Sequence, residues 1–377
     1  MLNPEKINEN SNAVLEEIDF GKVITDLLDT PTITDIKLWN NEIIVVDRKK
    51  GEYKFEYEGY TPEEIEQAKA IAYELPRKVA IRMRVNYNKG QAILDGEMKY
   101  KDNVILRFNA INDVLVYNDI PALAIRKSNF EITVKDDEMF TGEYADDVCI
   151  DLLLKAVNNR SNIVIAGATG SGKTTLLRYL AVNGIKNNES VITIEDTYEA
   201  FLKEIKPNMK VLALKSNDDY SFSDLLKTSL RQEPQWILVS EVRDEAVINM
   251  LAAAGSGHAI VTTVHASNVK IIPWRLVDMS KAVGTDAERI FRQAHQNIDL
   301  GVYIDYYNDK RGSHRRIVEI CEFYLDDNGV PKEHTIYKYD TKTNSYKADK
   351  IESPELIRKL TMRNSDLRKL KAAGLLL

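Results

Sequence analysis

The amino-acid sequence predicts an α/β protein in which a parallel sheet flanked by helices carries a phosphate-binding loop, preceded by a smaller α+β region. Three observations predict it. The run GATGSGKTT, from Gly167 to Thr175, fits the pattern G-x-x-x-x-G-K-[ST] from Gly167 through Thr174. Around that run, short apolar segments alternate with segments of helical spacing, the order that yields parallel strands joined by crossover helices. Ahead of it, β-type runs broken by turn pairs and interrupted by one capped helix describe an α+β unit.

In chain order, residues 1 to about 20 read as a loose or helical lead. IKLWN, EIIVVDR and YKFEYEG follow as hairpin strands, broken at Asn40-Asn41 and Lys50-Gly51. Thr61, Pro62, Glu63 and Glu64 predict a helix start, with Thr61 as N-cap and Pro62 at the first helical position. Further strands are expected near Gln91 to Leu94, Asn103 to Phe108 and Val114 to Val116. The polar stretch Lys135-Asp136-Asp137-Glu138, with Thr141-Gly142, reads as a linker that divides the chain into residues 1–135 and 136–377.

Beyond it the expected order is a helix from Asp146 to Val157, a buried strand from Asn162 to Ala166, the loop, and a helix from about Lys173 to a stop at Gly184. Strands near Val191 to Ile194, Trp236 to Val239 and Ala259 to Val264 then alternate with helices near Ser223 to Ser229 and Glu245 to Ala253. Ser353-Pro354-Glu355 opens capped C-terminal helices.

With 377 residues and 44% hydrophobic content, the chain can fill two cores. Its net charge of −7 argues against broad electrostatic adhesion to nucleic acid, and no direct sequence-specific nucleic-acid binding is expected. The cluster Arg77, Lys78, Arg82, Arg84 and Lys89 reads as a solvated face. Cys149 and Cys321 are too few for a disulfide framework or a four-thiolate zinc site, so a reducing cytoplasm is expected. No run of apolar residues is long enough for a membrane span, and the polar start MLNPEKINENSN carries no signal core.

The chemistry begins with the loop. A triphosphate gives up its hydration only to a dense set of preorganised donors. Gly167, Gly170 and Gly172 lack a Cβ and can take positive φ, so the amides of the loop, with Ala168, Thr169 and Ser171 between them, can turn inward as a nest. The helix that follows adds its positive dipole end. Lys173 is placed to reach the β- and γ-phosphates, the Thr174 hydroxyl to take one position on Mg²⁺, and Thr175 to support the turn.

Hydrolysis needs carboxylates as well, to activate water and to help organise the metal. VITIEDTYE sets Glu195 and Asp196 after one apolar strand, and WILVSEVRDE sets Glu241 after another. Such strand ends converge on the ligand crevice of an open α/β sheet. Glu241, following Ile237-Leu238-Val239, is the stronger candidate; Asp196 and Glu199 read equally well as caps or salt-bridge partners. GSGHAIVTTVHAS carries His258 and His265 on either side of a strand, and His265 at the strand end would hydrogen-bond a γ-phosphate or relay its loss. Zinc is not expected without further ligands nearby.

In order, GATGSGKTT, TIEDTYE, LLKTSLRQEP, WILVSEVRDEA and GHAIVTTVHAS resemble the type II/IV secretion ATPases, the motors of bacterial secretion, conjugation and pilus assembly, over about residues 120–325. The resemblance implies a RecA-like P-loop NTPase domain behind an N-terminal domain and a homo-hexameric ring that hydrolyses ATP held between the two domains. It further implies inner-membrane components as partners, and so a place at the cytoplasmic face of the membrane. By resemblance Glu195 belongs to an Asp box, Glu241 to a Walker B motif with a part in the Mg²⁺ site, and His258 and His265 to a His box. Arg126 in ALAIRKSN and Arg107 in VILRFNAI resemble N-terminal-domain arginines that reach the nucleotide, and Arg231 and Arg243 those of the LRQ and EVRD motifs.

Either Glu195 or Glu241 activates water on this reading. Ser240 stands where the family has Gly, and His258 to His265 is one residue shorter than in the conjugation and tight-adherence branch, which LLKTSLRQEP and IRKS otherwise favour. The missing Cys quartet argues against the zinc-bearing type II secretion and pilus-extension motors. Two other classes compete: a DNA-translocating RecA-type ATPase, and a nucleotide-sensing assembly protein with little hydrolysis.

Overall fold

The computed structural model describes residues 19–47, 49–83, 85–101, 104–129, 144–217, 219–281, 284–309, 312–362 and 366–377, and the chain divides into two units. In the first unit the helix α1 (Gly21–Asp29) precedes strands β1 (Ile33–Trp39), β2 (Glu42–Asp47) and β3 (Gly51–Lys54), then helix α2 (Pro62–Met83) and strands β4 (Ile93–Lys101), β5 (Val104–Ile111) and β6 (Ala122–Asn129). The strands form one antiparallel sheet in the order β3-β2-β1-β6-β5-β4.

Asn40 and Asn41, with φ of 52° and 61°, supply the left-handed pair that a tight hairpin between β1 and β2 demands. A reciprocal cap starts α2: Glu64 N–H donates to Thr61 Oγ1 at 3.3 Å and Thr61 N–H to Glu64 Oε2 at 2.8 Å. Val23, Ile24, Leu75 and Val79 of the two helices pack with Ile36, Leu106 and Ile125 of the sheet. Charges occupy other positions: the register sets Asp35, Arg126, Arg107 and Glu97 in one row across four strands, and Arg126 Nε lies 3.0 Å from Asp35.

Two expectations change here. Val114 to Val116 is no strand, because the Asn112 side chain accepts the Val114 N–H and winds Asp113–Leu115 into a 3₁₀ turn. The strand expected to end at Leu94 starts at Ile93 and continues to Lys101. The lead over residues 1–18, the linker stretch from Lys135 to Gly142, Arg84 and Asn103 lie outside the described residues.

The second unit runs α3 (Asp147–Asn158), β7 (Ile163–Gly167), α4 (Lys173–Gly184), β8 (Ser190–Glu195), α5 (Leu202–Ile205), β9 (Lys210–Lys215), α6 (Phe222–Leu230), β10 (Trp236–Val239), α7 (Ala246–Gly255) and β11 (Ala259–Val264). It continues with α8 (Ile272–Ser280), α9 (Ala287–Asn297), β12 (Leu300–Asp309), β13 (Gly312–Leu325), β14 (Pro331–Asp340), β15 (Ser345–Ala348), α10 (Pro354–Thr361) and α11 (Arg368–Ala372). One sheet takes the order β15-β14-β13-β12-β7-β11-β10-β8-β9. Its members from β12 to β9 are parallel, while β13, β14 and β15 pair antiparallel and extend one edge.

Both faces of the parallel part are buried, which explains its unbroken apolar strands. Ile163, Ile165, Trp236 and Leu238 enter one core, and Val164, Ala166, Ile237 and Val239 the other. Trp236 is fully buried, and its Nε1–H donates to Glu189 Oε2 at 2.9 Å. Trp236→Ala is therefore expected to lower unfolding stability by about 3–5 kcal/mol, read as a drop in the urea midpoint. Among the described residues no helix is long and apolar enough to cross a membrane.

Candidate nucleotide-binding site

Parallel strands bring their carboxyl ends to one rim, and the register puts four of them side by side. Ala166 of β7 pairs with Val264 of β11, Val239 of β10 with Thr262, and Ile194 of β8 with Val239. The loop after β7, His265 after β11, Glu241 after β10, and Glu195 with Asp196 at the end of β8 thus share a rim.

Gly170 and Gly172 hold φ of 77° and 93°, the left-handed region that curls the loop. A Cβ on Gly167 would meet Ser171 Oγ at 2.5 Å and the Ile304 carbonyl oxygen at 2.6 Å, so no larger residue fits. Ala168 and Thr169 are exposed, Ser171 is buried, and Ser171 N–H donates to the Ala168 carbonyl at 3.2 Å. Thr174 and Thr175, half-buried, sit in the first turn of α4.

Lys173 is buried, and its Nζ donates to the carbonyls of Gly167 at 3.0 Å and Ala168 at 2.9 Å. Burial lowers the ammonium pKa, an effect opposed by Glu241 and Glu199. The same Nζ lies 3.4 Å from His265 Nδ1, whose Nε2 lies 3.4 Å from Glu241 Oε1. Arg243 donates to Glu241 Oε2 at 2.6 Å and stands 3.8 Å from Asp196. Burial, then the Lys173 ammonium, pulls the His265 pKa down against the pull of Glu241, so the ring is neutral at neutral pH. A neutral ring that accepts from Lys173 at Nδ1 carries its proton on Nε2, facing Glu241.

Glu195 does something else with its charge. Its Oε1 accepts from Thr193 Oγ1 at 2.9 Å, and its Oε2 from the N–H groups of Glu199 at 2.7 Å and Ala200 at 2.8 Å. Burial raises its pKa against those three hydrogen bonds, and the carboxylate pins the turn that follows β8. Of the two acids, Glu241 is the one linked to the loop.

His258 and Arg231 are not brought to the loop within the chain. His258 precedes β11, with Nδ1 2.8 Å from the Pro234 carbonyl, and exposed Arg231 caps the end of α6 before β10. Both therefore stand at the amino ends of strands; the six residues of β11 set the two histidines about 20 Å apart. Arg107 and Arg126 belong to the charged row of the first unit. Sequence reasoning missed Arg315, whose Nε donates to the Gly170 carbonyl at 2.9 Å. One basic residue in a strand far along the chain carries no local signal of that contact.

A protein-family model described as type II/IV secretion system protein matches residues 65–291. The chain belongs to that family. Among its relatives, the conjugal transfer protein TrbB of Rhizobium radiobacter is 30% identical over 205 residues, 53% of this chain and 59% of its own length. An uncharacterized protein of Bacillus anthracis is 28% identical over 282 residues, 74% of this chain and 60% of its own length. The chain thus spans about three-fifths of the length of these curated relatives. The solved structure of the ATPase DotB of Legionella pneumophila matches with a TM-score of 0.53 at 18% identity, over 95% of this chain and 89% of that one, and shares its fold.

Proposed function

We propose that this member of the secretion family is an ATP-hydrolysing motor subunit that works with Mg²⁺ as a homo-hexamer. Its motion serves membrane-embedded partners of a conjugation, secretion or pilus-assembly machine, at the cytoplasmic face of the membrane. The observation that carries the reading is the unbroken line from Lys173 through His265 to Glu241 beside a loop of phosphate-binding shape. Names of relatives add the coarse setting: one is a conjugal transfer protein and one fold neighbour an ATPase.

In this reading the loop amides and Lys173 bind the β- and γ-phosphates, and Lys173 leaves its two carbonyl partners to do so. Glu241 accepts the proton of the attacking water or orients it, while Arg243 holds that carboxylate in place. His265, standing 3.4 Å from both Lys173 Nζ and Glu241 Oε1, senses whether the two are engaged. Glu195 holds the rim in shape. The oxygen donors Thr174 and Glu241 suit Mg²⁺, which prefers hard oxygens and takes few from protein when phosphates supply the rest. When bound, Mg²⁺ neutralises charge on the phosphate oxygens.

Arg126 and Arg107 are proposed to reach the nucleotide from the N-terminal domain. Arg231 and His258, remote from their own loop, are proposed to serve a neighbouring subunit's site. Residues 1–135 and 136–377 remain the proposed domains. The test is direct: the purified chain with Mg²⁺ and ATP is expected to release phosphate steadily and to scatter light with about six times its 42.9 kDa mass. A chain that binds ATP yet shows neither turnover nor assembly would defeat the motor reading.

A further inference from the structure

The antiparallel extension of the sheet does more than widen it: strand β13 lays an arginine across the phosphate loop. Arg315 Nε donates to the Gly170 carbonyl at 2.9 Å, and its guanidinium lies over the Tyr306 ring, 4.9 Å from the centroid. Its Cδ stands 3.4 Å from where a Cβ on Gly172 would be. The side chain therefore follows the loop from Gly170 to Gly172, the two positions of left-handed backbone.

The Gly170 carbonyl and the Ser171 N–H are two ends of one planar trans peptide, so fixing the first fixes the direction of the second. A nest binds anions only while its amides hold their orientation. Glycine on both sides makes this the stretch of loop least able to hold itself. A guanidinium suits the task, since its planar fork stays charged at any working pH and stacks on an aromatic face.

Position adds the second argument. Strand β12, which carries Tyr306, borders β7 on the flank away from β11 and β10. Arg315 and Tyr306 thus stand across the loop from His265 and Glu241. A phosphate chain whose γ end meets the acids presents its other end to this flank.

We propose that Arg315, held over the Tyr306 ring, is a positioning residue of the nucleotide site: it fixes the peptide between Gly170 and Ser171 so that the loop amides receive the phosphates shared by ADP and ATP. The inference rests on the nucleotide reading above. It places the effect of Arg315 on binding rather than on bond cleavage, because His265 and Glu241, the groups assigned to cleavage, follow strands on the other side of β7.

The experiment is calorimetric titration of the full chain with ADP, alongside KM and kcat for ATP. Arg315→Gln is expected to weaken ADP binding about tenfold, the scale of one lost hydrogen bond, with KM rising in proportion and kcat changing little. Arg315→Lys is expected to bind as weakly as the glutamine variant, since a single ammonium lacks the planar fork that reaches the Gly170 carbonyl while it covers the Tyr306 ring. Wild-type affinity in Arg315→Gln, or full rescue by Arg315→Lys through charge alone, overturns the proposal. So does a nucleotide-free melting temperature that falls in step with affinity, which marks a packing role. If the unaltered chain binds no ADP, the nucleotide reading itself fails and takes this one with it.

Discussion

Lys173→Ala is expected to reduce ATP hydrolysis to background and to weaken ATP binding about a hundredfold or more, the value of one or two charge-assisted hydrogen bonds to phosphate. The ammonium is the only buried lysine head at the loop among the described residues, and its present partners are the neutral carbonyls of Gly167 and Ala168 with His265 beside them. Exchanging two carbonyls for phosphate oxygens pairs a partly desolvated cation with full negative charge, which is the larger gain. Alanine leaves Gly170, Gly172 and the start of α4 unaltered, so the fold stays. The check is calorimetry for binding, phosphate release for turnover and circular dichroism for the fold. Near-normal turnover in a folded variant would remove the loop from the chemistry.

Glu241→Gln separates binding from cleavage. The amide keeps the size of the carboxylate and an oxygen to accept from Arg243, but it cannot take a proton. The expected result is a fall in kcat of about 10²–10⁴, with ATP affinity held within a few-fold. Glu195→Gln is the matched comparison. Its carboxylate already accepts from Thr193, Glu199 and Ala200, so the amide should disturb the turn and lower thermal stability more than kcat. The opposite pattern, with kcat lost at Glu195 and kept at Glu241, would exchange the roles of the two acids.

What was legible in the sequence, and what was not, follows from the range of the forces involved. The loop, α4 and strands β7, β8, β10 and β11 declare themselves locally, because strands buried on both faces are continuous apolar runs between turn signals. Strand β9 does not. It lies at the sheet edge with half its residues exposed, so its KVLALK pattern tracks no single buried face. The extension from β13 to β15 was equally silent, since its pairing is set by partners in the sheet rather than by the residues beside each strand.

At the site, nearness in sequence is not nearness in space, as the placement of the two histidines on either side of a strand already implies. His258 and His265 are seven positions apart, yet an extended strand between them sends them to opposite rims. Glu195 illustrates another gap: a strand-end acid looks alike in sequence whether it faces a ligand or caps its own turn. The difference is made by two backbone N–H groups that only the folded turn supplies.

The clash at Gly167 reaches beyond nucleotide chemistry. What forbids a methyl group there is chiefly the Ile304 carbonyl of β12, its register neighbour, and not any phosphate. The opening glycine of the motif is thus a seam between two neighbouring strands. An inactive substitution at that point reports a torn sheet as readily as a lost ligand, so a mutational survey must weigh Gly170 and Gly172 separately from it.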